Sequence, residues 1–295
     1  MILTLGQVFY YLLPYFSKEQ GDEYVFQCPY CMDTGKDNLK FNAKKGILHC
    51  FANPEHSKAI YKKIMNNPKI RQYSKVTEYK IVEDNKYLSP MCQQLLTMYI
   101  DNCCANLLED KELLAYLYQQ RGLTPKTVDF MNIGFDHFLN RWIIPNFGYT
   151  TKDGMIIFGY ESRPKDFSKK GIRRLKDSPS MLASVNRFTK NTEILCIVEG
   201  YFDAFALWQH LEEQGQAQKY QIVTPPNGVN SLIKHIDSID FQKYKKHYLF
   251  LDNDLAAKPV KDKILANYPF FTEINLTCGC KDFNEHYMRC IKKLI

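Results

Sequence analysis

Four acids near the ends of apolar runs have the most chemistry to offer. In CIVEGYFDAFAL the run closes on Glu199-Gly200 and Asp203 follows at i+4; in HYLFLDND another closes on Asp252, with Asp254 two residues on. If each run is a strand and a helix follows the first, Glu199 and Asp203 share a face, and Asp252 and Asp254 point to the same side while extended geometry persists. Carboxylates gathered at one sheet edge repel one another unless a divalent cation neutralises them, and hard oxygen donors select Mg²⁺ or Mn²⁺. A plain turn at 252–254 and a helix-dipole partner at Asp203 would explain each acid singly but not the set.

Sulfur supplies a second centre. FQCPYC places Cys28 and Cys31 at C-x2-C spacing, and LHCFANPEHS adds His49, Cys50 and His56. Tetrahedral Zn²⁺ takes four thiolate or imidazole ligands from two such corners. Cys28, Cys31, Cys50 and His56 make that set, with His49 the competitor for the fourth place. Near the C-terminus stand Cys278, Cys280, Cys290 and His286. Cys280 precedes Asp282-Phe-Asn-Glu285, a capping box opening the last helix, and these thiols are read as core residues, not as a second zinc site.

The elements that must position these groups can be traced along the chain. From 192 onward, apolar strands near 193–199, 220–224, 247–252 and 270–276 alternate with helical stretches near 201–213, 230–241, 258–267 and 282–294. That alternation predicts a parallel sheet with helices on both faces, whose ligands collect at the carboxyl ends of its strands. Upstream, two helices are expected over 90–117, Gly122 ends the second, and Thr124-Pro125 opens a third. RWIIPNF (141–147) and MIIFGY (155–160) read as a hairpin across Lys152-Asp153-Gly154. The first sixteen residues form a docked amphipathic helix, too short and too interrupted to span a membrane. The expected division is a zinc-binding ribbon (1–66), a linker (67–89), a mixed α+β basic subdomain (90–191) and a parallel-sheet catalytic domain (192–295).

The 295 residues, 45% of them hydrophobic, exclude disordered and collagen-like classes. Ten cysteines in a chain of this size suit free thiols or metal ligands, and with no membrane segment the expected location is the cytoplasm. The formal net charge of +7 is local. Between 162 and 191, nine Lys or Arg stand against Asp166 and Asp177, leaving the rest of the chain neutral overall. A block including Arg163, Arg173, Arg174 and Lys176 is what a phosphate-binding surface needs.

Glu199-Gly200, Asp203, Asp252-Asn253-Asp254 and the Asn227-Gly228 loop together resemble the Toprim domain shared by DnaG-type primases, topoisomerases and some nucleases. YLYQQRGLTPKTVDFMNIGF, RWIIPNF and GYESRPKDFSKKGIRRLKDSPSML resemble, in order, the blocks of the bacterial and phage DnaG-like primase core, and the resemblance extends to the ribbon. It implies a DNA primase that makes short RNA primers on a single-stranded DNA template from ribonucleoside triphosphates. Structural Zn²⁺ would sit in the ribbon and catalytic Mg²⁺ or Mn²⁺ on Glu199, Asp252 and Asp254, supported by Asp203. It also implies nucleotide or template contacts at Arg141, Arg163, Arg174, Asn186, Asn227 and Gly228. Asn53 stands where the family has its fourth ribbon cysteine, Ala257 where a glycine follows the acid pair, and Asn186 where many members have lysine. No helicase region follows the last helix, which implies a replicative helicase in trans. The alternatives are a Toprim-type nuclease and a catalytically inert zinc-bearing single-stranded DNA binder. Tyr30, Lys40 and Phe41 are expected to be exposed for stacking and pairing with bases.

Overall fold

The structure is a computed structural model that describes residues 3–31, 37–67, 90–150, 154–168, 170–175, 178, 181–186, 189, 191–225, 228–255 and 257–294. The chain resolves into two compact units, one of residues 1–99 with 174–178 and one of residues 100–173 with 179–295. The expected linker, apart from Asn67, lies outside the described residues, as do Lys176, Asn227 and the 151–153 turn.

In the first unit, α1 (Leu5–Leu12) leads into the antiparallel sheet β1 (Phe16–Gln20), β2 (Glu23–Phe26), β3 (Leu39–Asn42) and β4 (Ile47–Cys50), followed by α2 (Pro54–Asn66). The expected N-terminal helix forms, but it is buried on nearly every side rather than along one stripe. Phe9 explains why: its ring meets Phe16 at 5.1 Å and Tyr24 and Phe26 at 5.5 Å, making an aromatic core beneath the sheet. Alternation along β3 turns Leu39 and Phe41 inward and Lys40 outward. Phe41 is therefore fully buried, against expectation, while Phe51, just past β4, is 63% open to solvent.

Helices α3 (Pro90–Glu109), α4 (Lys111–Arg121) and α5 (Pro125–Phe130) follow as expected. Asp110 and Thr124 cap the last two, and Gly122, at φ +70°, takes the left-handed position that stops α4. Next comes the sheet of β5 (Gly134–Asp136), β6 (Arg141–Thr150), β7 (Gly154–Pro164) and β8 (Arg173–Arg174). Here β6 and β7 are the expected hairpin, with a register shift at Asn146/Phe147.

The second sheet of this unit has the order β13-β12-β10-β11-β9, built from β9 (Ala183–Ser184), β10 (Ile194–Val198), β11 (Tyr220–Thr224), β12 (Lys246–Phe250) and β13 (Phe271–Glu273). All pairs are parallel except β11 with β9. Helix α6 (Tyr201–Glu213) packs with Cys196 and Val198 on one face. Helices α7 (Val229–His235) and α8 (Lys258–Asn267) pack with Leu195 and Ile197 on the other. A strand buried on both faces must be apolar at every position, which is why β10 reads as an unbroken apolar run. The chain closes with α9 (Phe283–His286) and a π-turn over Tyr287–Ile291. Among the described residues no helix is long and apolar enough to cross a membrane. The architecture is the α/β class expected: a metal-corner N-terminal sheet, a mixed α+β region and a parallel-sheet domain.

Candidate functional site

The connections out of β10 and β12 run to opposite sides of the sheet, so the crevice at their carboxyl ends is a switch point of the kind where ligands bind. Val198 pairs with Phe250 across these strands, and the Glu199 N–H donates to the Phe250 carbonyl at 3.2 Å. The residues just past each strand therefore lie side by side, and the Asp252 N–H donates to Glu199 Oε2 at 3.2 Å. Burial, then the Asp252 charge, pushes the Glu199 carboxyl up to about 7. Asp252 is buried and also raised, chiefly by desolvation. Asp254 accepts from the Ala257 N–H at 2.9 Å, closing the turn into α8.

Asp203 comes from the first turn of α6. A Cβ at Gly200, the N-cap, would sit 2.9 Å from Asp203 Oδ2, so glycine is what allows the carboxylate to lie back over the helix start. Asp203 Oδ1 accepts from the Asn284 N–H at 3.0 Å, and burial followed by the neighbouring Asp282 raises its carboxyl to about 8. Lys281 supplies the opposing charge, with Nζ 3.0 Å from Asp252 and 3.6 Å from Asp254. Its pKa rises because Asp252 holds its proton. A set of hard oxygens, with Glu199, Asp203 and Asp252 raised in proton affinity by burial and then by neighbouring charge, suits a divalent cation.

The basic residues fall into three groups. Arg163, on β7, donates to Glu161 at 2.5 Å and lies 5.0 Å over the Phe202 ring. Arg141 spends its guanidinium on Ser162 and on the Gly171 carbonyl, tying β6 to Gly171. Arg173 and Arg174 are exposed. Asn186 differs from what was expected of it: buried, it donates to the Tyr220 carbonyl at 2.6 Å and accepts from the Ile222 N–H at 2.9 Å, so its amide splices a segment onto β11 instead of reaching outward. Gly228 caps α7 at φ +73° and ψ 178°, a conformation nearly exclusive to glycine.

One residue beside the acids escaped notice in the sequence. Arg121 ends α4 and stacks on Phe167 at 4.7 Å and Phe202 at 4.6 Å, so the Phe202 ring is shared with Arg163. Desolvation lowers its pKa, and its Nε is buried with no hydrogen-bond partner among the described residues. The signal was in the RGL tripeptide, which had served only to carry a resemblance. Phe167 holds this stack from φ +57°, an uncommon backbone for a bulky side chain.

At the first sulfur centre, the donor atoms of Cys28, Cys31, Cys50 and His56 all lie within 4.8 Å of one another. His56 Nδ1 is 3.6, 3.4 and 3.9 Å from Cys28, Cys31 and Cys50 Sγ, and the Cys31 and Cys50 sulfurs are 3.6 Å apart. Metal bonds of about 2.3 Å to sulfur and 2.0–2.1 Å to nitrogen give tetrahedral edges of roughly 3.8 and 3.6 Å, so the set fits Zn²⁺. His49 points to solvent from β4, against Phe51. Asn53, in place of a cysteine, caps α2 by accepting from the Glu55 N–H, which sets the helix turn that delivers His56.

Residues 196–287 match the Toprim-like family, so the parallel sheet with its acids is a Toprim-like domain. The Toprim part of the resemblance read from the sequence agrees with this match, and the Cys/His centre expected near the N-terminus is present. No curated protein gives a match. Among solved structures, the primase fragment of the bacteriophage T7 primase-helicase protein is 15% identical, with 92% of this chain and 97% of that one covered and a TM-score of 0.48. The zinc-binding and RNA polymerase domains of Aquifex aeolicus primase are 17% identical, with 94% and 79% covered and a TM-score of 0.43. In a bacteriophage T7 lagging-strand polymerase complex, a chain 19% identical is matched over 59% of this chain and 88% of its own, with a TM-score of 0.45.

Proposed function

We propose that the protein is a DNA primase, a nucleotidyltransferase that synthesises short RNA primers on single-stranded DNA from ribonucleoside triphosphates. The observation that carries this reading is that Glu199 and Asp252 stand side by side at the switch point of a Toprim-like sheet, with Asp254 near enough to raise the proton affinity of both and Asp203 near enough to feel Asp252. The ordered RGL, SRP and DSP blocks upstream favour primer synthesis over a Toprim-type nuclease, which would need the acids but not those blocks or a ribbon. The domain division expected from the sequence is part of this reading, with initiation-site recognition assigned to the ribbon.

In this mechanism Glu199, Asp252 and Asp254 would hold Mg²⁺ or Mn²⁺, which when bound offsets the negative charge that develops at the attacked α-phosphate. Metal-free, Glu199 shares its site with a proton near neutral pH, because burial and Asp252 both resist its ionisation. Lys281 holds Asp252 and Asp254 together and limits their repulsion before a ligand arrives. Asp203, fixed by Asn284, orients the start of α6 beneath Glu199. Arg121 and Arg163, braced on Phe202, present cations toward triphosphate, while Arg173, Arg174 and Lys176 grip template backbone. Asn186 is left to strand splicing, and Arg141 to holding Gly171 against β6. A basic surface of this size binds single strands at roughly 10⁻⁴ to 10⁻⁶ M, so a replicative helicase in trans would supply template.

The test incubates the chain with a single-stranded template, labelled NTPs and Mg²⁺. Template-dependent RNA products are expected. Cleaved template would replace this reading with a nuclease, and retention without either product would replace it with an inert binder.

A further inference from the structure

The thiols near the C-terminus do not behave as core residues. Cys278 and Cys290 are exposed and only Cys280 is buried, yet the donor atoms of Cys278, Cys280, His286 and Cys290 all lie within 4.8 Å of one another. Cys278 Sγ is 3.1 Å from His286 Nδ1, and the Cys280 and Cys290 sulfurs are 3.7 Å apart. The second distance is close to the roughly 3.8 Å sulfur–sulfur edge of a zinc tetrahedron. The donor types, and the use of imidazole Nδ1, repeat those of the N-terminal centre.

Local backbone geometry brings the four together. Gly279, at φ +78°, sits between two cysteines in a C-G-C corner, a left-handed bend that a side chain would resist. His286 ends α9, and Cys290 lies in the π-turn that follows, where the Lys292 N–H donates to the Tyr287 carbonyl at 2.8 Å. π-turns are rare in helices and concentrate at functional sites. The capping box is partly present as well: Asp282 accepts from the Glu285 N–H at 2.8 Å, while Glu285 reaches back to the Lys281 N–H at 2.8 Å. The cap and the cluster thus share one loop.

We infer that Cys278, Cys280, His286 and Cys290 form a second, structural zinc site that staples the 276–281 loop to the C-terminal helix. That loop backs the acid turn. Asn253 donates through its N–H to the Lys281 carbonyl at 2.8 Å and through its side-chain amide to the Leu276 and Cys280 carbonyls at 3.3 and 3.4 Å. Lys281, between Cys280 and the cap, is the cation on Asp252 and Asp254. A metal held by Cys280 and its three partners would fix both contacts through the backbone of the loop. The site stands whether the enzyme makes primers or cuts DNA.

The test is metal content of the full chain purified with zinc and then freed of excess metal. Two zinc ions per chain are expected. Cys278→Ser and Cys290→Ser, both at exposed positions where the fold has least to lose, should each lower the count to one. Cys50→Ser should also leave one, and Cys50→Ser with Cys278→Ser none. Cobalt substitution should give thiolate-to-metal absorption that falls by about half in each single variant. A parent holding one zinc, or a count unmoved by Cys278→Ser and Cys290→Ser, overturns the site. So does a Cys280–Cys290 disulfide found by thiol titration in metal-replete protein.

Discussion

Glu199→Gln should make the protein more stable and nearly inactive. Burial and Asp252 push the Glu199 carboxyl from an ordinary 4.5 up to about 7. Each power of ten in proton affinity is worth about 1.4 kcal/mol, so the full penalty on the ionised form would be about 3 kcal/mol. The side chain is partly open to water, and screening reduces this to about 1–2 kcal/mol. The folded chain holds this proton more tightly than the unfolded one does. Stability without Mg²⁺ is therefore full below 4.5 and falls as the pH climbs from there through about 7. The glutamine side chain of the variant carries no charge at any pH, and its carbonyl can still accept from the Asp252 N–H. At pH 8 without Mg²⁺ the variant should gain about 1–2 kcal/mol, a rise in urea midpoint of about 0.5 M, and its pH profile from 5 to 8 should be flatter. The readout is built in, since Trp142 and Trp208, the chain's two tryptophans, are both buried in the core that contains α6. With Mg²⁺, primer synthesis should fall on the order of 10²-fold or more. A variant that unfolds at lower urea at pH 8, or a parent whose midpoint does not drop between pH 5 and 8, refutes the electrostatic reasoning; near-parental primer yield refutes the role of the acid.

Cys50→Ser should release the N-terminal zinc and unfold the ribbon while leaving the tryptophan-monitored urea midpoint unchanged; a parental zinc count would remove Cys50 from the ligand set. Asn186→Ala deletes two hydrogen bonds to β11 and strands a buried carbonyl and N–H. A loss of about 2–4 kcal/mol is expected in urea unfolding with single-stranded DNA affinity retained, and a loss under about 1 kcal/mol would contradict the splice. Changing Arg173 and Arg174 together to Ala should lower the log–log salt slope of single-strand binding by about 0.7 for each phosphate contact removed. An unaltered slope would make these arginines solvated residues only.

The parallel sheet was legible because the central β10, buried on both faces, leaves an unbroken apolar run, and β12 ends in the apolar Tyr248-Leu249-Phe250, which put Glu199 and Asp252 at strand ends. The ribbon cluster was legible from C-x2-C spacing, but the choice of His56 over His49 needed the cap at Asn53 and the alternation of β4. The short β5, β8 and β9 left no trace, since pairing over two or three residues depends on neighbours and not on composition. Phe41 was placed on the wrong side because burial on a strand is a matter of parity, and nothing in the quoted residues fixed the register. Cys278 and Cys290 were misread because a cysteine carries no mark of exposure. Arg121 was hidden for a related reason: its neighbours Phe167 and Phe202 are 46 and 81 residues away in sequence, and only packing brings them together.

Homology and folding draw different borders in this chain. The Toprim-like match begins at 196, but the sheet begins earlier, with β9 pairing Ser184 to Val223 and Ala183 to Thr224. A segment starting where the similarity starts would carry the four acids and α6 to α9, yet it would lose Ile194 and Leu195 of β10 and leave β11 as an open edge able to pair with other chains. In this chain the matched segment is closed by an edge strand that lies outside it. The two residues of β9 thus do for the sheet what the matched segment cannot do alone: they close its edge.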